Sequence, residues 1–138
     1  MTLDPRFAPP GILSVAAILA ATGGRLVAGA PDGSFRICTD SRLAGPGLLF
    51  VALKGEIHDG HRFVEQVLAT GAGAIVSEDS LLRPREGAPL VLVPDTLVAL
   101  GALGRAFLEL QAPSVVAVTG SVGKTTTRAM LAAMLATL

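Results

Sequence analysis

Val115-Val116-Ala117-Val118-Thr119-Gly120-Ser121-Val122-Gly123-Lys124-Thr125-Thr126-Thr127 is the stretch on which the reading of this chain turns. Its β-branched opening predicts a short buried strand. Gly120 and Gly123 bracket a tight turn. From Lys124 the residues run at helical spacing, with Leu131, Met134, Leu135 and Leu138 on one side. A strand, a glycine turn and a helix opening on Lys-Thr make a phosphate cradle. Glycines let backbone N–H groups approach phosphate oxygens, and the helix N-terminus adds its partial positive charge. The phosphate-binding candidates are Gly120, Ser121, Val122, Gly123, Lys124, Thr125 and Thr126. Lys124 is the candidate catalytic cation that reaches the terminal phosphates, and the hydroxyl of Thr125 is the candidate Mg²⁺ ligand. The full phosphate-loop template has a glycine where Val118 stands, but the shorter G-x-x-G-K-T core is intact. The competing reading is a glycine-rich turn ahead of a surface helix. That reading leaves unexplained why three β-branched threonines, mediocre helix formers, open the helix.

A chain of 138 residues makes one ordinary domain, or one domain plus the start of another. Just over half of the residues are hydrophobic and few are charged, which permits a packed core. Acidic and basic residues number 11 each, so there is no electrostatic footprint for nucleic acid or an anionic membrane. With no Trp or Tyr, stacking on bases is poorly supplied. The single Cys38 excludes an internal disulfide and fits a reducing cytoplasm. Residues 12–21 form an apolar run behind Arg6 that imitates a secretory leader. Asp4 offsets Arg6, Pro9-Pro10-Gly11 interrupt the approach, and Thr22-Gly23-Gly24 close the run as a helix stop. No run approaches the ~20 apolar residues that span a bilayer, so no membrane insertion is expected.

Taken in order, residues 1–11 read as a disordered tail. Ser14 is a helix N-cap for 15–21. Residues 34–38 and 48–53 read as strands, the second so continuously apolar that both its faces should be covered. A helix over 61–69 is expected to bury Phe63, Val64, Val67 and Leu68 and to close at Gly71. Strands at 74–76 and 90–93 flank a charged loop over 77–88. Asp95 caps a helix over 96–110, and 112–114 form a linker to the phosphate cradle. Strands alternating with helices predict a mostly parallel α/β sheet. After Glu109 the chain has no Asp, Glu or His. A phosphoryl-transfer centre needs acidic groups for Mg²⁺, and one strand with one helix cannot bury its own apolar face. The expectation is therefore a chain that ends soon after a second domain has begun.

Two further clusters carry chemistry. Thr39-Asp40-Ser41-Arg42 follows a strand end, where ligand loops of open α/β sheets lie. Ser41 offers a hydroxyl and Arg42 a fork matched to phosphate, or the segment is an Asx turn with a surface arginine. The segment 54–61 holds both histidines, His58 and His61. No further ligand nearby completes a metal site. One histidine is expected as a polar contact and the other at the start of the helix.

Together these segments resemble the Mur ligase family, the ATP-dependent amide ligases of peptidoglycan precursor synthesis. The likeness is carried by Thr39-Asp40-Ser41-Arg42, by Gly47-Leu48-Leu49-Phe50-Val51-Ala52-Leu53-Lys54-Gly55-Glu56, by Asp59-Gly60-His61-Arg62-Phe63, by Gly71-Ala72-Gly73-Ala74 and by Thr119 through Thr126. It covers nearly all of residues 12–138, and Val118 in place of the first loop glycine is ordinary within the family. Arg128-Ala129-Met130 departs from the common Lys-Glu-Met but keeps the cation.

The resemblance implies a UDP-substrate-binding α/β domain at 12–112, with a mostly parallel or mixed sheet. It is followed at 113–138 by the first strand, phosphate loop and helix of a truncated ATPase domain. It implies ATP and Mg²⁺ as cofactors. Ser41, Arg42, Glu56, Ile57 and His58 match positions near the uridine diphosphate moiety in relatives. The wording of 52–61 is most similar to members that join D-alanyl-D-alanine to UDP-MurNAc-tripeptide through an acyl phosphate. Members that add the third amino acid to UDP-MurNAc-dipeptide follow closely. The resemblance further implies a cytoplasmic, monomeric full-length enzyme, of which the 138 residues alone are inactive. A fragment that only binds UDP-sugar-peptide is the non-enzymatic alternative.

Overall fold

The computed structural model describes residues 12–78, 88–112 and 116–136. The expected tail at 1–11, most of the loop at 77–88, and Pro113, Ser114, Val115 and Leu138 lie outside the described residues. Six strands form one mixed sheet: β1 (Ile12–Ser14), β2 (Arg25–Ala28), β3 (Ser34–Cys38), β4 (Leu48–Val51), β5 (Gly73–Ser77) and β6 (Leu90–Val93). Their order is β1-β3-β4-β5-β6-β2. The four central strands run parallel, and β1 and β2 close the two edges antiparallel. The helices are α1 (Val15–Thr22), α2 (Val64–Ala69), α3 (Thr96–Gln111) and α4 (Lys124–Leu135).

The alternation within each central strand divides the core in two. Leu49, Val51, Ile75, Val91 and Val93 point to one face, where Ile18 of α1 and Ala99 and Leu103 of α3 cover them. Phe50, Ala52, Ala74, Val76 and Leu90 point to the other, under Val64, Val67 and Leu68 of α2. Two covered faces are why the strands read as nearly unbroken apolar runs. Helix ends follow the local signals. Ser14 accepts the Ala17 N–H at 3.1 Å, and Asp95 accepts the Leu97 and Val98 N–H groups at 2.8 and 3.0 Å. Thr96, nearly fully buried, donates its hydroxyl to the Ala52 carbonyl at 2.9 Å and ties the start of α3 to the end of β4. Thr96→Val keeps the shape and orphans that carbonyl; a loss of about 1–3 kcal/mol is expected in urea denaturation.

Several expectations are corrected. Six strands replace the four read between 12 and 112, because β1 and β2 are three- and four-residue edge strands. At the β2 edge, Gly29 (φ +87°) passes so close to Pro89 that a Cβ would stand 2.5 Å from its Cα. The strand at 48–53 leaves the sheet after Val51, where Leu53 N–H turns back to the Val51 carbonyl at 3.0 Å. The helix read at 61–69 opens as a 3-10 turn, Gly60–Phe63, before α2. A 3-10 turn has about 3.0 residues per turn, so the apolar stripe of Val64, Val67 and Leu68 does not extend back to Phe63. Phe63 is 44% exposed rather than buried.

Residues 116–118 form no strand, and Val116 is 68% exposed. A strand exists through its ladder partners, and both edges of the sheet are taken by β1 and β2. On α4, Met130, Met134 and Leu135 are exposed and Leu131 is half-buried. No helix among the described residues is long and apolar enough to cross a membrane.

Candidate functional site

The loops that leave β3 and β4 meet at the carboxyl ends of the parallel strands, where ligand crevices of open α/β sheets form. Beyond β3, Asp40 accepts the Arg42 N–H at 3.0 Å and caps the 3-10 turn Ser41–Leu43. The Arg42 fork closes on the same carboxylate, Nε at 2.9 Å and Nη2 at 2.6 Å. These hydrogen bonds hold the Asp40 carboxyl down at about 2, so the pair stays charged on both sides across the physiological range. The segment thus folds as the Asx turn that was one of its two readings, with Arg42 on the surface and committed to Asp40. Cys38, at the end of β3, has its thiol pushed up by partial burial and by the Asp40 charge.

Beyond β4, the loop 54–59 is a small hairpin. Lys54 and Asp59 pair antiparallel, and the Gly55 N–H donates to the His58 carbonyl at 2.8 Å. The Gly60 N–H anchors the loop on the Leu53 carbonyl at 2.8 Å. Glu56 and Ile57 form the tip, Ile57 86% exposed.

A cavity of about 320 Å³ lies between the two loops. Thr39, Asp40, Ser41 and His58 supply its polar side, and Phe50, Leu53 and Phe63 its apolar wall. Of the five residues read as approaching a uridine diphosphate, the structure brings Ser41 and His58 together here. Arg42, Glu56 and Ile57 do not line it.

A second cavity of about 400 Å³ opens on the other side of the loop, beside Lys54, Asp59, His61, Ser77 and the capped start of α3. Its organiser is His61. Asp59 Oδ1 accepts the His61 backbone N–H at 3.0 Å and lies 2.6 Å from His61 Nδ1. The Ser77 N–H donates to His61 Nε2 at 3.0 Å. Because Nε2 accepts, the ring proton sits on Nδ1 and is given to Asp59. The backbone N–H and then the ring of His61 lower the Asp59 carboxyl below its usual range. This role of Asp59 and His61 was not read from the sequence, although Asp59-Gly60-His61 carries the spacing of an Asx cap.

The glycine turn 120–123 leads directly into α4. Gly123 (φ +84°) is the left-handed residue before α4, and no side chain caps the helix. The Thr127 N–H closes the first turn on the Gly123 carbonyl at 2.9 Å. The first N–H groups of the helix have no intrahelical acceptor. Lys124 Nζ folds back to donate to the Gly120 carbonyl. A groove of about 250 Å³ runs along Val118, Lys124, Thr125 and Arg128. Free N–H donors, two cations and room at Gly123, where a Cβ would meet nothing within 4 Å, fit a phosphate chain. For Mg²⁺ the fit is partial. Thr125 is at hand, but among the described residues no three His, Cys, Asp or Glu side chains group to hold a metal.

A mixed α/β domain with a crevice at its strand ends is followed by a glycine turn and a helix opened by Lys124. The chain belongs to the Mur ligase family: the family profile "Mur ligase family, catalytic domain" matches residues 36–108, more than half of its length. It is 45% identical over 101 residues to the UDP-N-acetylmuramoyl-tripeptide–D-alanyl-D-alanine ligase of Bacillus subtilis, across 73% of this chain and 22% of that one. It is 44% identical over 90 residues to a UDP-N-acetylmuramyl-tripeptide synthetase of Roseiflexus, across 64% of this chain and 18% of that one. The solved structure of the UDP-N-acetylmuramoylalanyl-D-glutamyl-2,6-diaminopimelate–D-alanyl-D-alanyl ligase of Acinetobacter baumannii superposes with a TM-score of 0.81. That match is at 39% identity and covers 96% of this chain and 30% of that one. The chain thus spans about a fifth of the length of the curated relatives it matches.

Proposed function

We propose that this chain is the substrate-recognition part, with the phosphate loop attached, of an ATP-dependent amide ligase. The ligase joins D-alanyl-D-alanine to UDP-MurNAc-tripeptide in peptidoglycan precursor synthesis. One observation carries the reading. A single chain of this family holds both a strand-end cavity framed by Ser41 and His58 and a phosphate cradle opened by Lys124. The relatives named for D-alanyl-D-alanine addition support the substrate class.

In this reading the hydroxyl of Ser41 and the polar edge of His58 hold the uridine diphosphate end. Arg42, Glu56 and Ile57 lie on the flanking loops and are read as contributing at its rim. The N–H groups of 120–126 and the Lys124 ammonium bind and neutralise the ATP phosphates. Thr125 holds Mg²⁺. When bound, ATP supplies the phosphoryl group that activates the substrate carboxylate toward the amine. The acidic Mg²⁺ ligands come from outside these 138 residues. The full-length enzyme works as a cytoplasmic monomer without nucleic acid.

The Roseiflexus relative favours a second reading, addition of the third amino acid to UDP-MurNAc-dipeptide. Calorimetry of this chain with UDP, UDP-MurNAc-dipeptide and UDP-MurNAc-tripeptide tests both. Tightest binding of the tripeptide is expected, and tightest binding of the dipeptide selects the second reading. Ser41→Ala is expected to weaken each about five- to tenfold, the worth of one hydrogen bond. Equal affinities for wild type and Ser41→Ala would make the 39–42 turn structural.

A further inference from the structure

We infer that His61 is a positioning residue for the 54–59 loop: its neutral ring clasps the loop to the end of β5, and protonation opens the clasp and weakens ligand binding beside His58. The inference rests on the reading of the cavity at Ser41 and His58 as the substrate site, but the clasp itself is independent of it.

The geometry dictates the polarity. A backbone N–H can only donate, so Ser77 requires a lone pair at His61 Nε2, 3.0 Å away. Asp59 sits 2.6 Å from Nδ1 and takes the one ring proton. The ring is largely buried, 13% exposed at the side chain. A second proton must go to Nε2, where it meets the Ser77 N–H donor to donor. The bond to Asp59 survives protonation and the bond to β5 does not. Ring and Asp59 then move as one charged pair, free of the sheet.

That movement reaches the ligand cavity through the backbone. Asp59 is paired with Lys54 across the hairpin, and Gly55 and His58 are bonded to each other inside it. Gly60, next to Asp59, holds the loop on the Leu53 carbonyl. The same hairpin carries His58 into the cavity. The charged groups around His61 are Asp59 and Lys54 on its own loop and Asp95 at the start of α3, with Ser77 on β5. Asp59, held below the usual carboxylate range by His61, keeps its charge on mild acidification.

The test follows the 138-residue chain by NMR and by calorimetry with UDP as the probe. Long-range ¹⁵N–¹H spectra of the His61 ring are expected to show the Nδ1–H form at pH 7.5. On acidification the Ser77 amide is expected to shift with the same midpoint as the ring. UDP affinity is expected to fall about tenfold from pH 7.5 to 5.5, the loss of one buried hydrogen bond. His61→Gln, whose carbonyl can accept from Ser77 without titrating, is expected to bind UDP with that tenfold loss removed. His58→Gln, which takes out the other imidazole beside the ligand, is expected to keep it. A pH loss that vanishes in His58→Gln and persists in His61→Gln would overturn the inference. So would a Ser77 amide that ignores the His61 titration, or an Nε2–H ring at pH 7.5. If UDP binds at no pH, the substrate-site reading fails while the Ser77 amide still decides whether the clasp exists.

Discussion

Phe50→Ala is expected to cost about 3–5 kcal/mol, the usual range for deleting a buried aromatic ring. Phe50 is 2% exposed, at the centre of the sheet between Cys38 of β3 and Ala74 of β5. Its ring packs with Val64, Val67 and Leu68 of α2 beneath it. Rotamer changes cannot refill a hole bounded on two sides by paired strands, so most of the cavity persists. Natural domains are stable by only about 5–15 kcal/mol, so this one side chain is worth a large part of the total. Urea denaturation of wild type, Phe50→Ala and Phe63→Ala makes the comparison. Phe63, 44% exposed on the wall of the crevice beside Ser41 and His58, is expected to cost about 1 kcal/mol or less. Equal losses for the two would mean that the core does not sit under β4 as described.

The sequence was most legible where one residue decides one thing. Strands β3 and β6 keep the bounds read for them, 34–38 and 90–93, since both lie inside the sheet with partners on each side. Ser14 and Asp95 announce their helices because a capping side chain acts within three residues. Legibility fell where pairing over long sequence distance decides. Nothing in Arg25-Leu26-Val27-Ala28 foretells that it lies against β6, more than sixty residues on. The run 116–118 shows the converse, since β propensity without a partner makes no strand.

Of the loops read as the site, the structure brings some residues together and holds others apart. Ser41 and His58 converge, while Arg42 is held by Asp40 at 2.6 Å. The chain order does not reveal which acceptor an arginine fork will choose. His61, read at the start of a helix, lies in the 3-10 turn that precedes α2. Its bond to Ser77, sixteen residues away, belongs to the tertiary fold and could not be read locally.

Given ATP, Mg²⁺, UDP-MurNAc-tripeptide and D-alanyl-D-alanine, the 138-residue chain is expected to release no phosphate above background. The reason lies in the surroundings of the cradle rather than in the cradle. Every residue from Thr119 to Met130 is exposed, Val122 at 93%. A preorganised ammonium and N–H groups stabilise a transferring phosphoryl group when water is excluded and lose most of that power in contact with bulk solvent. For Mg²⁺ the chain offers no Asp, Glu or His anywhere after Glu109. The apolar side of α4, with Met130, Met134 and Leu135 exposed, has too little packing to hold the first turn rigid. Adding the relatives' remaining four fifths should supply both the cover and the acids. In that longer protein Lys124→Ala is expected to lower the ligation rate by about 10²–10³ or more, the loss of one preorganised charge. Colorimetric phosphate release, run with and without D-alanyl-D-alanine, reads both experiments. Substrate-dependent turnover by the 138 residues alone would mean that the later acidic residues are dispensable, and a Lys124→Ala enzyme as fast as its parent would take Lys124 out of the mechanism.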